Sequence, residues 1–242
     1  MDKIISPEKA YKDLDFLNST DARSIRILSE YLEPLSRFKK LKINNTILFF
    51  GSARMSSNNK SPLSKYYQEA EELAYRLTKW AFKLSPEEKH FVICTGGGGG
   101  IMEAANRGAS RAGGKSIGMN ISLPYEQHIN PYISPELAFK FHYFFMRKFW
   151  LINKAKSIVA FPGGFGTLDE IFETLTLIQT RKISREKTLI LLYGEDYWRE
   201  IVDFEALVKH GVILPEDLQL FKFCSDIDDA FKLLKNRLSK HL

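Results

Sequence analysis

The chain has 242 residues, 44% of them hydrophobic and 26% charged, which is ordinary globular composition and enough for one large α/β domain with a buried core. Its 35 basic and 29 acidic side chains give a net charge of +6; this suits an anionic ligand, but the basic residues form no long run, which argues against nucleic acid as a partner. The two cysteines and five scattered histidines show no CxxC or HxxxH spacing, so no metal site is expected, and Cys94, closing an apolar run, reads as a small buried hydrophobe.

The N-terminal stretch MDKIISPEKAYKDLDF carries acids and no apolar segment, so it does not read as a signal peptide. No apolar run approaches the roughly 18 residues of a membrane span. A cytoplasmic protein with no membrane partner is expected. Up to about Lys42, Leu14, Leu17, Ile25, Leu28, Leu32 and Leu35 recur at helical spacing between charged residues. This predicts one or two helices, an extension over residues 1–42 packed on a main domain over 43–242.

The main domain then alternates. Thr46–Phe50 is a short apolar run stopped by Gly51, and Leu63–Leu84 an amphipathic helix with Tyr67, Leu73, Leu77 and Trp80 on one side. His90–Thr95 reads as strand, Ile101–Ala112 as helix, Lys115–Ile121 as strand and Phe139–Phe144 as a further strand. Phe145–Lys156 reads as helix, Ser157–Phe161 as strand, Gly166–Thr180 as helix and Leu189–Tyr193 as strand. Tyr197–His210 reads as helix and Gln219–Cys224 as strand, followed by a last helix over Asp226–Leu238 with Asp226 as its N-cap. Apolar strands alternating with helices imply a Rossmann-like, doubly wound, mainly parallel sheet with helices on both faces. Such sheets bind ligands at the carboxyl ends of their strands.

Two glycine clusters sit at such ends. Thr95 is followed by five glycines, Gly96 to Gly100, and then by a helix; Pro162-Gly163-Gly164-Phe165-Gly166-Thr167 also lies between a strand and a helix. Glycine lets the backbone approach a ligand closely. The helix behind it offers free N–H groups and a positive dipole end, a site for phosphate to which Thr167 adds a hydroxyl. The familiar alternatives fail on spacing. In a GxGxxG fingerprint, Gly164 and Gly166 are followed at the third glycine position by Asp169, and a start at Gly96 reaches Ile101. Gly114-Lys115-Ser116 ends like a P-loop, but Ala109 stands at its first position and the next segment reads as strand. Neither a nicotinamide cofactor nor ATP hydrolysis is supported, and no cofactor is expected.

Glu170 lies one turn into the helix opened by PGGFGT, near a bound phosphate without being its ligand, whereas Asp169 complements the helix dipole. Arg147 and Lys148 begin a helix amid Phe144, Phe145, Phe149 and Trp150. Cations in such surroundings are paired, either with a structural carboxylate or with a ligand.

Together these segments resemble the Lonely Guy (LOG) family. PGGFGTLDE resembles its PGGxGTxxE signature, TGGGGGIMEAANRGA its GGGxxGxM loop, FFMRK its Arg-Lys pair, and Phe49-Phe50-Gly51-Ser52 its opening strand and turn. The likeness runs from about Thr46 to Leu238, and the N-terminal helices resemble a longer subgroup. Gly99 stands where many relatives have proline. Family members are phosphoribohydrolases that cleave a purine or cytokinin base from a nucleoside 5′-monophosphate. Many carry the label lysine decarboxylase, which this signature, lacking a Schiff-base lysine, does not support.

The resemblance implies that Arg147 and Glu170 are catalytic. It implies contacts to phosphate and ribose from Lys148, Gly163, Gly164, Gly166 and Thr167, and further substrate contacts from Gly51, Ser52, Gly97, Gly98, Glu126 and Thr176. It also implies a homodimer with active sites near the subunit junction. N-glycoside cleavage develops an oxocarbenium-like sugar, which a nearby carboxylate stabilises. The competing readings are a non-catalytic nucleotide sensor on the same fold, which need not keep both Arg147 and Glu170, and a partner-binding protein using the aromatic run Phe139–Trp150.

Overall fold

The computed structural model describes residues 7–56, 62–84, 91–124, 128–184 and 188–242. Its strands are β1 (Thr46–Phe50), β2 (Val92–Thr95), β3 (Ser116–Ile121), β4 (Ala138–Phe141), β5 (Ala155–Ala160), β6 (Leu189–Tyr193) and β7 (Phe221–Cys224). They form one seven-stranded sheet in the order β4-β3-β2-β1-β5-β6-β7, and every neighbouring pair is parallel. The helices are α1 (Leu14–Asn18), α2 (Arg23–Lys40), α3 (Lys65–Leu84), α4 (Ile101–Arg111), α5 (Phe144–Asn153), α6 (Phe165–Gln179), α7 (Glu195–Ile201), α8 (Phe204–Lys209) and α9 (Ile227–Leu238).

The strands are apolar on both faces because both faces are covered. Ile47 and Phe49 of β1 pack with Leu73 and Leu77 of α3, Ala105 of α4 and Leu234 of α9. Leu48 and Phe50, pointing the other way, join Trp150 of α5, Ile171 of α6 and Trp198 of α7. The same alternation divides β6, with Leu189, Leu191 and Tyr193 on the first side and Ile190 and Leu192 on the second. Trp198 also ties the ends of two strands together: its indole N–H donates to the Ala160 carbonyl at 3.1 Å and to the Tyr193 carbonyl at 3.0 Å. Burying such a side chain stabilises the fold by about 1.5–3 kcal/mol. This fixes the point from which the PGGFGT loop departs.

Several boundaries differ from the pattern in the sequence. The Tyr197–His210 helix is two helices, because Val202 is extended and the Asp203 carboxylate accepts the Ala206 N–H at 2.8 Å to cap a new start. The Phe145–Lys156 helix stops at Asn153, since Ala155 and Lys156 belong to β5, where Ala155 pairs with Thr46. The Phe139–Phe144 strand ends at Phe141, and Phe144 already belongs to α5. The last strand begins at Phe221, because Pro215–Leu220 forms a 3-10 turn. Asp226 caps α9 as expected, accepting from Asp228 and Asp229.

The N-terminal helices depart most. Ile25, Leu28 and Leu32 form an apolar stripe, but all three are exposed. α2 packs inward through a different face. Pro34 and Phe38 are buried, Ile27 and Leu35 lie against the same core, and Phe38 meets Phe139 and Trp150 edge-on at 5.5 and 5.4 Å. Among the described residues no helix is long and apolar enough to cross a membrane.

Candidate active site

The strand order reverses at β1, which lies between β2 and β5. In an open parallel sheet this switch point splays the loops apart and leaves a crevice at the carboxyl ends. Three loops meet there through their backbones. Ser52, just past β1, donates its N–H to the Pro162 carbonyl past β5 at 3.0 Å, and the Ile101 N–H at the start of α4 donates to the Ser52 carbonyl at 3.1 Å. Gly100 caps α4 at φ 65°, and a Cβ there would collide with the Ser52 carbonyl. Glycine is required by conformation and by space.

The crevice is a cavity of about 850 Å³, within the range of small-ligand sites. Its lining includes Gly51, Ser52, Arg54, Arg147, Gly163, Gly164, Gly166, Thr167, Glu170 and Tyr197. Gly164 caps α6 without a side-chain hydrogen bond; the Thr167 N–H donates to the Gly164 carbonyl at 3.0 Å, which leaves the N–H groups of Phe165 and Gly166 for a ligand or solvent. The Tyr197 hydroxyl donates to the Gly163 carbonyl at 2.8 Å and so steadies this loop.

Glu170 and Arg147 carry the electrostatics. Glu170 is 5% exposed, and its Oε2 has no hydrogen-bond partner among the described residues. Burial pushes its pKa up from 4.5 to about 7, against the opposing pull of Lys148 and Arg147. Burial also lowers the pKa of Arg147, which Glu170 partly restores, and a guanidinium stays charged at any working pH. Arg147 Nε donates to the Met119 carbonyl of β3 at 2.9 Å. A Cβ on Gly96 would stand 2.6 Å from Arg147 Nη2 and 2.9 Å from Met102 Sδ. The first glycine of the run thus makes room for this arginine.

Other residues singled out in the sequence lie apart from the lining. Lys148 is held between Asp169 and Glu173, at 2.7 Å from each. Burial alone would lower its pKa, but the hydrogen bonds it donates to Asp169 and Glu173 hold it above its ordinary value. Thr176 is exposed on α6, and its hydroxyl donates to the Phe172 carbonyl one turn back. Gly97 and Gly98 are bound from behind: Asn130 Nδ2 donates to the Gly98 carbonyl at 2.9 Å and to the Gly97 carbonyl at 3.3 Å. Glu126 lies outside the described residues.

Sequence reasoning missed the amide network behind that loop. Asn130 also donates to Asn106 Oδ1 at 2.9 Å, Thr95 Oγ1 donates to the same oxygen at 2.8 Å, and the Gly97 N–H donates to Thr95 Oγ1 at 3.0 Å. All three side chains are buried, where an unpaired amide would cost about 1–3 kcal/mol. One signal was present: Asn106 interrupts the run of small and apolar residues facing the sheet from α4. Arg54 and Tyr197 carried no signal, because their loops reach the crevice only in the folded chain.

Residues 102–234 match the family model described as possible lysine decarboxylase. This chain belongs to that family, the LOG family of the sequence motifs. The LOG chain is 28% identical over 96 residues to a cytokinin riboside 5′-monophosphate phosphoribohydrolase from Rhodococcoides fascians, and 27% identical over 96 residues to the enzyme of the same name, LOG1, from Arabidopsis thaliana. Each match covers 39% of this chain, and 48% and 44% of those relatives' own lengths. Among solved structures, the structural-genomics target TM1055 aligns over 79% of this chain and 99% of its own, at TM-score 0.55 and 23% identity. The Moco carrier protein from Chlamydomonas reinhardtii aligns over 81% and 99%, at TM-score 0.53 and 21% identity. At such identities these two share the fold alone. Among the described residues that line the crevice there is no lysine.

Proposed function

We propose that this LOG protein hydrolyses the N-glycosidic bond of a purine or cytokinin nucleoside 5′-monophosphate, releasing free base and ribose 5-phosphate. The observation that carries the reading is Glu170: a nearly buried carboxylate with an unpartnered oxygen, coupled to Arg147, in a cavity lined by the PGGFGT loop at an uncapped helix start.

The chemistry follows from the bond. The C1′–N bond breaks with its electron pair leaving on the base, water oxygen bonds to C1′, and a water proton ends on the base. Positive charge gathers on the sugar in between. Ionised Glu170 stabilises that charge and orients the ribose hydroxyls or the water. Arg147 opposes the effect of burial, so that the carboxylate ionises near neutral pH rather than above it; it also positions the carboxylate, and is too weak an acid to serve as proton donor. The 5′-phosphate sits on the backbone N–H groups of Gly164 and Gly166, with the Thr167 hydroxyl, and Gly51 and Ser52 close the floor. Arg54, a cation in the lining beside that turn, supplies the countercharge. Gly97, Gly98, Glu126, Lys148 and Thr176 enter the reading through the family pattern, whose sites lie near a subunit junction.

A homodimer is part of the same reading. Phe145 and Phe149 of α5 and Phe172 of α6 are exposed, as are Ile25, Leu28 and Leu32 of α2, an amount of apolar surface that commonly marks an interface. Light scattering at micromolar concentration is expected to give twice the chain's 27.9 kDa.

The decisive experiment incubates the protein with a panel of nucleoside monophosphates, AMP and cytokinin ribotides included, and measures free base and ribose 5-phosphate. Release of both products is expected. Binding of a monophosphate with no release from any would replace this reading with a nucleotide sensor.

A further inference from the structure

The helix bearing Arg147 begins against a side chain from the N-terminal extension. Glu30 of α2 accepts the backbone N–H groups of His142 at 2.7 Å and Tyr143 at 3.2 Å. Tyr143 is the N-cap residue of α5 and has no side-chain cap of its own. Its carbonyl accepts the Arg147 N–H at 3.1 Å. A continuous chain of hydrogen bonds therefore runs from the Glu30 carboxylate, through the Tyr143 peptide units, to the backbone of Arg147. A carboxylate at this end also complements the dipole of α5.

The remaining contacts of α2 converge on the same place. The Trp150 indole of α5 donates to the Glu30 carbonyl at 3.0 Å. Tyr31 lies 5.7 Å from the rings of both Phe149 and Trp150. Arg37 donates to the Ala138 carbonyl at 3.0 Å and covers the Phe139 ring at 4.6 Å. Phe139 is the register partner of Met119, whose carbonyl holds Arg147 Nε. Thus α2 grips both the start of α5, which holds the Arg147 backbone, and β4, which pairs with the strand holding its side chain.

We propose that α2 is a brace that sets the position of Arg147 opposite Glu170, and that Glu30 is its positioning residue. The proposal rests on the hydrolase reading for its effect on turnover. Its geometric content, that Glu30 sets how strongly Arg147 acts on Glu170, stands without it. Small displacements of a reacting group cost one to two orders of magnitude in rate, so a brace remote from the chemistry has a measurable effect.

The test compares Glu30→Ala, Glu30→Gln and the exposed neighbour Ser29→Ala in the full chain. For AMP hydrolysis, Glu30→Ala is expected to lower kcat about 10-fold or more with KM changed less than about threefold. Glu30→Gln keeps one acceptor oxygen and is expected to recover most of that loss, and Ser29→Ala is expected to match the parent. A second readout needs no turnover: the titration of the Glu170 carboxyl, followed by 13C NMR and assigned with Glu170→Gln. The charged groups acting on Glu170 are Lys148, Arg147, Glu173 and Asp169. If Arg147 drifts, its stabilising charge weakens, and the Glu170 midpoint rises above that of the parent in Glu30→Ala. A lower melting temperature in Glu30→Ala, with kcat and the Glu170 titration unchanged, would overturn the proposal and leave α2 a purely structural element. If the parent releases no base from any monophosphate, the hydrolase reading fails by itself, and the Glu170 titration alone decides the brace: a rise supports it and no movement overturns it. Should Glu30→Ala fail to fold, the same two readouts on Glu30→Gln decide it, a partial loss of kcat or a smaller rise in the Glu170 midpoint supporting the brace and parent values for both overturning it.

Discussion

Lys148 donates to Asp169 at 2.7 Å across the junction of α5 and α6, one residue along from each member of the Arg147–Glu170 pair. The two helices therefore meet through two adjacent couples of opposite charge. The outer one is partly solvated, with Asp169 59% exposed at its side chain. In the inner one Glu170 is buried and Arg147 half-buried, and both line the cavity. The two neighbouring carboxylates therefore differ in burial, Glu170 being 5% exposed.

That difference sets the first prediction. Glu170→Gln keeps size and much of the hydrogen bonding but removes the charge that matters when the sugar becomes positive, so base release from AMP is expected to fall about 10²–10³-fold with nucleotide affinity largely retained. Asp169→Asn loses a half-exposed ion pair, worth about 0–1 kcal/mol, and is expected to keep near-parent turnover. Single-turnover base release beside a direct affinity measurement separates the two. Near-normal turnover in Glu170→Gln with loss in Asp169→Asn would reverse the assignment.

The raised pKa of Glu170 gives a stability prediction with a definite sign. Between about 4.5 and about 7 the folded protein holds a proton on Glu170 that the unfolded chain has released, so stability falls as pH rises through this window and levels off above it. The contribution is about 1–3 kcal/mol. Glu170→Gln is expected to lose this slope and to melt higher than the parent at pH 8. In the parent, kcat/KM is expected to rise with pH through about 7 as the carboxylate ionises. Urea midpoints and rates at half-unit steps of pH check both, and parallel stability curves for the two proteins would contradict the first.

Phosphate recognition has its own test. Arg54 lines the cavity and is exposed, so its removal leaves the core intact. Arg54→Ala is expected to weaken AMP binding about 10-fold, in line with a charge-assisted hydrogen bond of about 1.5–3 kcal/mol partly screened by solvent, while adenosine binding stays unchanged. Calorimetry with both ligands at two salt concentrations decides it. An equal loss for AMP and adenosine would remove Arg54 from phosphate recognition.

The glycine run makes a prediction that depends on no ligand. Gly100→Ala is expected to destabilise strongly, since φ 65° and the Ser52 carbonyl leave no place for a Cβ. Gly99→Ala meets only the Ala53 carbonyl at 3.5 Å and Glu103 Oε2 at 4.0 Å, ordinary contacts, and is expected to be neutral or stabilising by about 0.4–1 kcal/mol. Thermal melts of the two variants suffice. Similar destabilisation in both would mean that the loop tolerates no side chain anywhere.

The sequence by itself determined the α/β alternation, the parallel sheet and the two glycine loops at strand ends. These features are local and repetitive: a strand buried on both faces must be apolar throughout, and a loop whose backbone closely approaches its neighbours needs glycine at the points of contact, as at Gly96 and Gly100. Asp226 was legible as a cap for the same reason, its partners lying two and three residues away. Only the tertiary structure decided which charges meet. Lys148 finds Asp169 and Glu173 because α5 and α6 lie side by side, and Glu30 reaches His142 across 112 positions. Helical periodicity revealed the stripe of Ile25, Leu28 and Leu32 but could not say that this face would remain exposed while Phe38 and Pro34 turned inward. An apolar stripe records which residues share a face; whether that face is covered depends on the neighbours that the folded chain brings to it.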